Sequence, residues 1–219
     1  MDDGLLPAAV RDAAADRRGG ATEVAARALD GLLEVAGDPR RLEAAVAALL
    51  AGQPAMAPVW HLARAARGPD PRAALAGLRA RLGADADAAV DAAAAWLRPR
   101  LAGGGRGAIA TVSHSSLVDR VLARLGADAG GAAPHPVVGL VGADAVGPEA
   151  FLNAAGTGEL AARLPTLVIA TAIKLLPAAA FARLAGPGFE AVPLRAVAAV
   201  VVGQAVLSPA EAGRLAARC

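Results

Sequence analysis

Residues 136–146, Pro-Val-Val-Gly-Leu-Val-Gly-Ala-Asp-Ala-Val, decide how this chain is read. An uncharged apolar run opened by proline and halted at Gly142-Ala143-Asp144 is the pattern of a strand buried on both faces. Asp144 then stands at the C-terminal end of that strand. There a carboxylate serves as an acid or base, binds a ribose hydroxyl, or simply caps the next element. A second run, Thr-Leu-Val-Ile-Ala-Thr-Ala over 166–172, repeats the pattern. A short strand is expected at 108–112, and 189–193 and 196–202 read as extended. Helices are expected at 116–125 and at 148–164, the latter broken at Gly156-Thr157-Gly158. Two more are expected at 178–184 and at 208–218, where Ser208 and Glu211 have capping-box spacing. Continuous apolar strands alternating with helices predict an α/β fold, with a parallel sheet covered on both faces.

Upstream of residue 104 the pattern is different. Charged residues and alanine alternate at helical spacing over 22–36, 41–50, 56–67, 71–82 and 85–97, with Gly-Asp-Pro, Gly-Gln-Pro and Gly-Pro stops. Asp70 followed by Pro71 is a cap with proline in the first turn. These five segments predict a helical bundle. The expected organisation is a helical domain over 1–103 and a shortened Rossmann-like domain over 104–219.

Composition removes several classes. The chain has 219 residues, 56% hydrophobic and 2% aromatic, with a net charge of +2. That is too apolar for disorder. One cysteine, Cys219, excludes a disulfide scaffold. The late uncharged run at 196–210 contains Gly203, Gln204, Ser208 and Pro209 and is too short and broken to span a bilayer. The start is acidic and lacks the apolar core of a signal peptide, so a cytoplasmic location is expected. With few aromatics for base stacking, direct nucleic-acid binding is not expected. Lys174 is the only lysine and Asn153 the only asparagine, so both stand out.

Four segments carry candidate chemistry. Residues 111–116, Thr-Val-Ser-His-Ser-Ser, lie between a strand and a helix, where hydroxyls and free amides suit either an anion or a helix cap. The second segment is the Gly142-Ala143-Asp144 strand end. The third, Asn153-Ala154-Ala155-Gly156-Thr157-Gly158, places glycines before a helix without completing a P-loop or a dinucleotide fingerprint. The fourth is Lys174, just past a strand end, positioned for Asp144 or for a phosphate. His61 and His135 have no partners at metal-ligand spacing, so no metal and no cofactor are implied.

Taken in order, these segments resemble the family that joins the alpha, beta and delta subunits of translation initiation factor 2B with methylthioribose-1-phosphate isomerase and ribose-1,5-bisphosphate isomerase. The Ser-rich turn at 111–116, Gly142-Ala143-Asp144, Asn153 with Gly156-Thr157, the 168–174 strand with its lysine, and Pro54-Ala55-Met56-Ala57-Pro58-Val59 carry the likeness, over about residues 22–217. The resemblance implies ligand contacts from Ser115, Ser116, Asn153, Gly156, Thr157 and Lys174, with Asp144 as the proton-shuttling acid of an aldose-ketose isomerisation.

The departures bear on activity. Ser113 stands where the resemblance places a catalytic cysteine, and a hydroxyl is a far poorer acid or nucleophile than a thiol. Ala154 replaces the lysine of the Asn-Lys segment. Residues 126–135, a Gly/Ala linker, fall where the family has further β–α units, so part of the pocket wall is expected to be lost. The expectation is a non-catalytic, initiation factor 2B-like homodimer that binds a phosphorylated sugar or nucleotide. The alternative is a sugar-phosphate isomerase using Asp144, with Ser113 or His114 in place of the thiol.

Overall fold

The computed structural model describes residues 6–101, 108–112, 114–126, 135–184 and 186–219. Its first half is helical: α1 (Ala8–Ala15), α2 (Ala21–Val35), α3 (Pro39–Gly52), α4 (Ala57–Ala66) and α5 (Pro71–Leu97). Side-chain caps start two of them, Asp70 as the sequence predicts and Asp38 from within the Gly-Asp-Pro segment read as a stop. Asp38 accepts the amides of Arg40 and Arg41 at 3.0 and 3.1 Å, and Asp70 accepts that of Ala73 at 3.0 Å. Leu29, Leu32, Leu49, Leu62 and Leu75 fill the bundle core without measurable exposure beyond 1%.

Helix α5 corrects the expectation of two helices at 71–82 and 85–97. It runs unbroken for 27 residues through Gly83. Glycine inside a helix costs about 1 kcal/mol, which tertiary burial outweighs here. Ala86, Ala89, Val90, Ala93 and Leu97 are all buried in a second core with Leu117, Leu140, Leu167, Ile169 and Val201. One helix therefore serves both the bundle and the sheet. Helix α1 was not anticipated, because an eight-residue alanine-rich segment has no clear periodicity; its Val10 and Ala13 are fully buried in the bundle.

The sheet half contains β1 (Ile109–Ala110), α6 (Ser116–Arg124), β2 (Val138–Gly142), β3 (Ala145–Val146), β4 (Ala150–Ala154), α7 (Thr157–Arg163), β5 (Thr166–Ala170), α8 (Ala178–Phe181), β6 (Phe189–Pro193), β7 (Ala199–Val202), β8 (Ala205–Leu207) and α9 (Pro209–Ala216). The main sheet has the order β1-β2-β5-β7-β8, with β1, β2, β5 and β7 mutually parallel. Every residue of β2, β5 and β7 is buried. Alternate residues divide between the two faces. Leu140, Leu167, Ile169 and Val201 meet α5 and α6, while Val141, Val168 and Val200 share a core with Leu160 of α7 and Ala212 of α9. This is the α/β architecture with both faces covered that continuous apolar runs demand.

Three details differ from the sequence reading. The start of the expected 148–164 helix is strand β4, which pairs antiparallel with β3 and with β6 in a separate three-stranded sheet. Phe151 and Leu152 are held there by cross-strand pairing, which local propensity does not encode. The three-residue β8, too short to stand out, turns back antiparallel on β7 and makes the main sheet mixed. Finally, β1 lies directly beside β2, so α6 together with the following segment makes the parallel connection. The linker does not have to cross the sheet alone; its residues 127–134 lie outside the described part.

Candidate functional site

The Gly142-Ala143-Asp144 strand end is fixed by backbone bonds from two directions. The Asp144 N–H donates to Leu152 O at 2.8 Å, and the Asp144 carbonyl accepts the Ala57 N–H at 3.0 Å. The first bond ties it to β4 and the second to the start of α4. Lys174 ends the single 3₁₀ turn Ala172–Lys174 after β5. That turn is clamped from the helical half. The Asp85 carboxylate on α5 accepts the Ala172 N–H, and His61 on α4 bonds Leu175 O through Nε2 at 2.8 Å. A carbonyl only accepts, so Nε2 carries the proton.

Asp144 and Lys174 line a cavity of about 700 Å³ between the two halves of the chain. Among the described residues no contact ion pair joins the two groups, yet they feel each other and their burial. Burial pushes the Asp144 carboxyl up to about 6, against the opposing pull of Lys174. Burial likewise brings the Lys174 ammonium down to about 8, with Asp144 opposing. Lys174 is only 2% exposed. Both groups can thus exchange protons near neutral pH, the usual signature of working side chains.

The opposite wall is one that the sequence reading missed. Residues Asp16 to Ala21, the loop from α1 into α2, line the cavity. Asp16 shapes this loop by accepting the amides of Arg18 and Gly19 at 2.8 and 2.7 Å and the Arg27 guanidinium at 2.8 Å. The Gly19 and Arg18 amides, with help from Arg27, hold its carboxyl down at about 2. The Arg17 guanidinium is engaged by the carbonyls of Ala14, Asp16 and Gly52, and buried Gln53 pins the same loop through Ala13 O and Asp16 O. The Arg18 side chain remains at the cavity wall. The sequence signal for this loop is Arg17-Arg18-Gly19-Gly20 directly ahead of a helix, basic residues and glycines at a helix N-terminus.

Helix α6 contributes a second N-terminus. Its N-cap is Ser115, whose side chain makes no capping bond, so the sequence reading of a hydroxyl cap does not hold there. Ser115 packs so closely on Gly142 that a Cβ at 142 would stand 2.6 Å from the Ser115 Oγ. His114 and Ser115 line the cavity, and His114 faces Asp119 at 3.3 Å. The starts of α2 and α6 therefore converge on the cavity that holds Lys174.

The remaining sequence candidates divide. Asn153 lines the cavity, is 4% exposed, and donates to Thr157 Oγ1 at 2.9 Å. Thr157 is fully buried, and its hydroxyl donates to Ala154 O at 2.7 Å. Gly156, at φ +96°, makes the left-handed turn into α7 that other residues resist. The Gly158 N–H is taken by the Glu190 carboxylate at 2.7 Å. The Gly158 amide is thus engaged within the fold, and Ser116, Gly156 and Thr157 are not on the cavity lining; Thr157 instead holds Asn153 through its hydroxyl. Ser113 lies outside the described residues. The lone thiol, Cys219, is at the end of α9, with its Sγ on Leu215 O at 3.5 Å and burial raising its pKa.

A cavity bearing an acid, a lysine and two helix N-termini thus lies between a helical bundle and a mixed parallel sheet. In fold, the chain is similar to initiation factor 2B subunits and a sugar-phosphate isomerase. The chain superposes on the translation initiation factor eIF-2B of Pyrococcus horikoshii OT3 with a TM-score of 0.72 and 17% identity, covering 95% of this chain and 98% of that one. It superposes on the tetrameric eIF2B-beta2-delta2 complex of C. thermophilum at 0.61 and 14%, covering 92% and 90%. With the 5-methylthioribose 1-phosphate isomerase of P. horikoshii OT3 the values are 0.59 and 13%, covering 94% and 86%. At these identities the likeness is one of fold. No protein-family model and no curated protein sequence matches the chain. Among the described residues, no helix is long and apolar enough to cross a membrane.

Proposed function

We propose that this chain is a non-catalytic, initiation factor 2B-like protein that binds a phosphorylated sugar or nucleotide in the 700 Å³ cavity and acts as a regulatory or interaction module. The observation that carries this reading is the convergence of Lys174, Arg18 and the N-termini of α2 and α6 on one cavity. Free helix-start amides and fixed cations are the groups that hold a phosphate. Asp144 and Asn153 on the facing wall suit ribose hydroxyls. The reading of lost catalysis rests on Ser113 at the thiol position, Ala154 at the lysine position, and a sole cysteine remote from the cavity. It takes residues 1–103 and 104–219 as two units that close on the ligand, with α5 shared between them. Titration calorimetry with ribose phosphates and nucleoside monophosphates tests it: micromolar binding of a phosphorylated ligand is expected, and a folded protein that binds none refutes it.

One observation favours the isomerase alternative, namely that Asp144 titrates near pH 6, where it can shuttle protons. Ketose formation from methylthioribose 1-phosphate or ribose 1,5-bisphosphate, abolished in Asp144→Asn, would establish that alternative instead.

The proposal includes a homodimer. The edge strand β8 exposes Val206 (44%) on the face towards α5 and α6, and α9, on the opposite face, exposes Leu215 (37%), so apolar side chains flank the unpaired strand edge groups on both sides. A neighbour of this fold, the tetrameric eIF2B-beta2-delta2 complex, supports oligomer formation.

A further inference from the structure

Lys174 is the chain's only lysine among 22 basic residues, so arginine fills every other cationic position. Lys174 lines the cavity and is 2% exposed, away from the surface where a cation is easily solvated. No contact ion pair consumes it among the described residues. For charge alone an arginine is the better buried cation, because it stays protonated and spreads its charge over five donors. What lysine supplies and arginine does not is a nucleophilic amine. Burial keeps part of that amine neutral close to physiological pH. The carboxyl of Asp144 lines the same cavity and keeps a proton to about pH 6. The turn bearing Lys174 is held at both ends, by Asp85 at Ala172 and by His61 at Leu175, so the amine is presented on a rigid element.

We propose that Lys174 captures the open-chain aldehyde of an aldose phosphate as a reversible imine, with Asp144 as the acid that releases water. This deepens the sugar-phosphate reading and rests on it, narrowing the ligand to sugars whose anomeric carbon is not phosphorylated. The neutral Nζ attacks the aldehyde carbon as the C=O π electrons move onto oxygen, and the proton lost by the nitrogen passes to that oxygen to give a neutral carbinolamine. Asp144 protonates that hydroxyl, the C–O bond breaks with its electrons leaving on water, and the nitrogen lone pair forms the C=N bond. The resulting iminium faces the Asp144 carboxylate. Water reverses each step, and no oxidant or reductant is consumed. The protein thereby holds a sugar phosphate covalently without turning it over.

The full chain is incubated with ribose 5-phosphate, treated with sodium borohydride and mapped by peptide mass spectrometry. The expected adduct adds the sugar phosphate less one oxygen to the peptide containing Lys174. Excess inorganic phosphate suppresses it there but leaves labelling of the α-amino group unchanged. Lys174→Arg removes it, and Asp144→Asn slows it by roughly 100-fold, the typical scale of general acid catalysis. The wild-type map alone decides the matter if either variant fails to fold. Calorimetric binding of ribose 5-phosphate with no Lys174 adduct overturns the imine and leaves the binding function standing. Labelling of Lys174 that ignores competing phosphate overturns it as ordinary amine chemistry. A Lys174 adduct from unphosphorylated glycolaldehyde, in a protein that binds no phosphorylated ligand, retains the nucleophile and refutes the phosphate reading.

Discussion

The Asp85 carboxylate, midway along α5, accepts the backbone N–H of Ala172 and so holds the turn that ends in Lys174. The longest helix of the described chain therefore sets the position of a cavity side chain that it does not itself carry. Asp85→Ala removes the acceptor and leaves the exposed Ala172 amide to water. The expected loss is about 0.5–1.5 kcal/mol of stability, read as a lower urea midpoint with unchanged m-value, together with weaker ligand binding. Asp85→Asn keeps an acceptor oxygen and should lose less of both.

Stability should depend on pH through Asp144 and Lys174. The native carboxyl of Asp144 titrates at about 6 against an ordinary 3.8. The native state thus holds its proton longer, and stability falls as pH rises between those values, by up to roughly 3 kcal/mol. The native Lys174 titrates at about 8 against 10.5. The unfolded state holds that proton longer, so stability recovers as pH rises from 8 towards 10.5, by a similar order. The folded protein should be least stable between pH 6 and 8, where both groups are charged and shielded from bulk water, Lys174 fully and Asp144 in part. Asp16, Arg17, Arg18 and His114 line the same cavity and modulate the depth of this minimum. Urea titrations across pH 4–10 check it, and the double variant Asp144→Asn, Lys174→Met should flatten the curve.

Gly142→Ala places a methyl carbon 2.6 Å from the Ser115 Oγ and 3.0 Å from its Cβ. Either α6 moves outward at its N-terminus or the strand end shifts. Overpacking of this kind costs about 1–3 kcal/mol. Ligand affinity should fall alongside the melting temperature, since both groups lie on the cavity.

Arg18→Ala should weaken binding of a phosphorylated ligand by about tenfold, the scale of one charge-assisted hydrogen bond. Its side chain lines the cavity, whereas that of Arg17 is bonded to three carbonyls. Arg17→Ala should instead lower stability first. Calorimetry and thermal melts on the two variants separate these effects.

Val206→Glu and Leu215→Glu should convert a dimer to a monomer in sedimentation equilibrium without altering the ligand affinity of the monomer. Neither residue lines the cavity. An unchanged sedimentation profile places the contact elsewhere.

The apolar runs at β2 and β5 and the caps at Asp70 and Ser208 are visible in the sequence because their signals are local. Burial on both faces writes itself as an unbroken run of valine, leucine and isoleucine, and a cap needs only its next three residues. Asp144, Lys174 and Asn153 stood out as rare or strand-end residues, and the fold brings all three to one cavity. The sequence by itself thus determined the α/β layering, the strand ends and half of the cavity wall. Tertiary structure alone decided the rest. Whether Phe151 and Leu152 form a helix or a strand depends on β6, dozens of residues away. Whether α5 breaks at Gly83 depends on the sheet that buries its second half. The Gly158 amide is engaged by Glu190, and a further cation on the cavity lining comes from Arg18 at the far end of the chain. Each of these is a long-range pairing whose energy exceeds the local propensity it overrides, so no short window of sequence records the outcome.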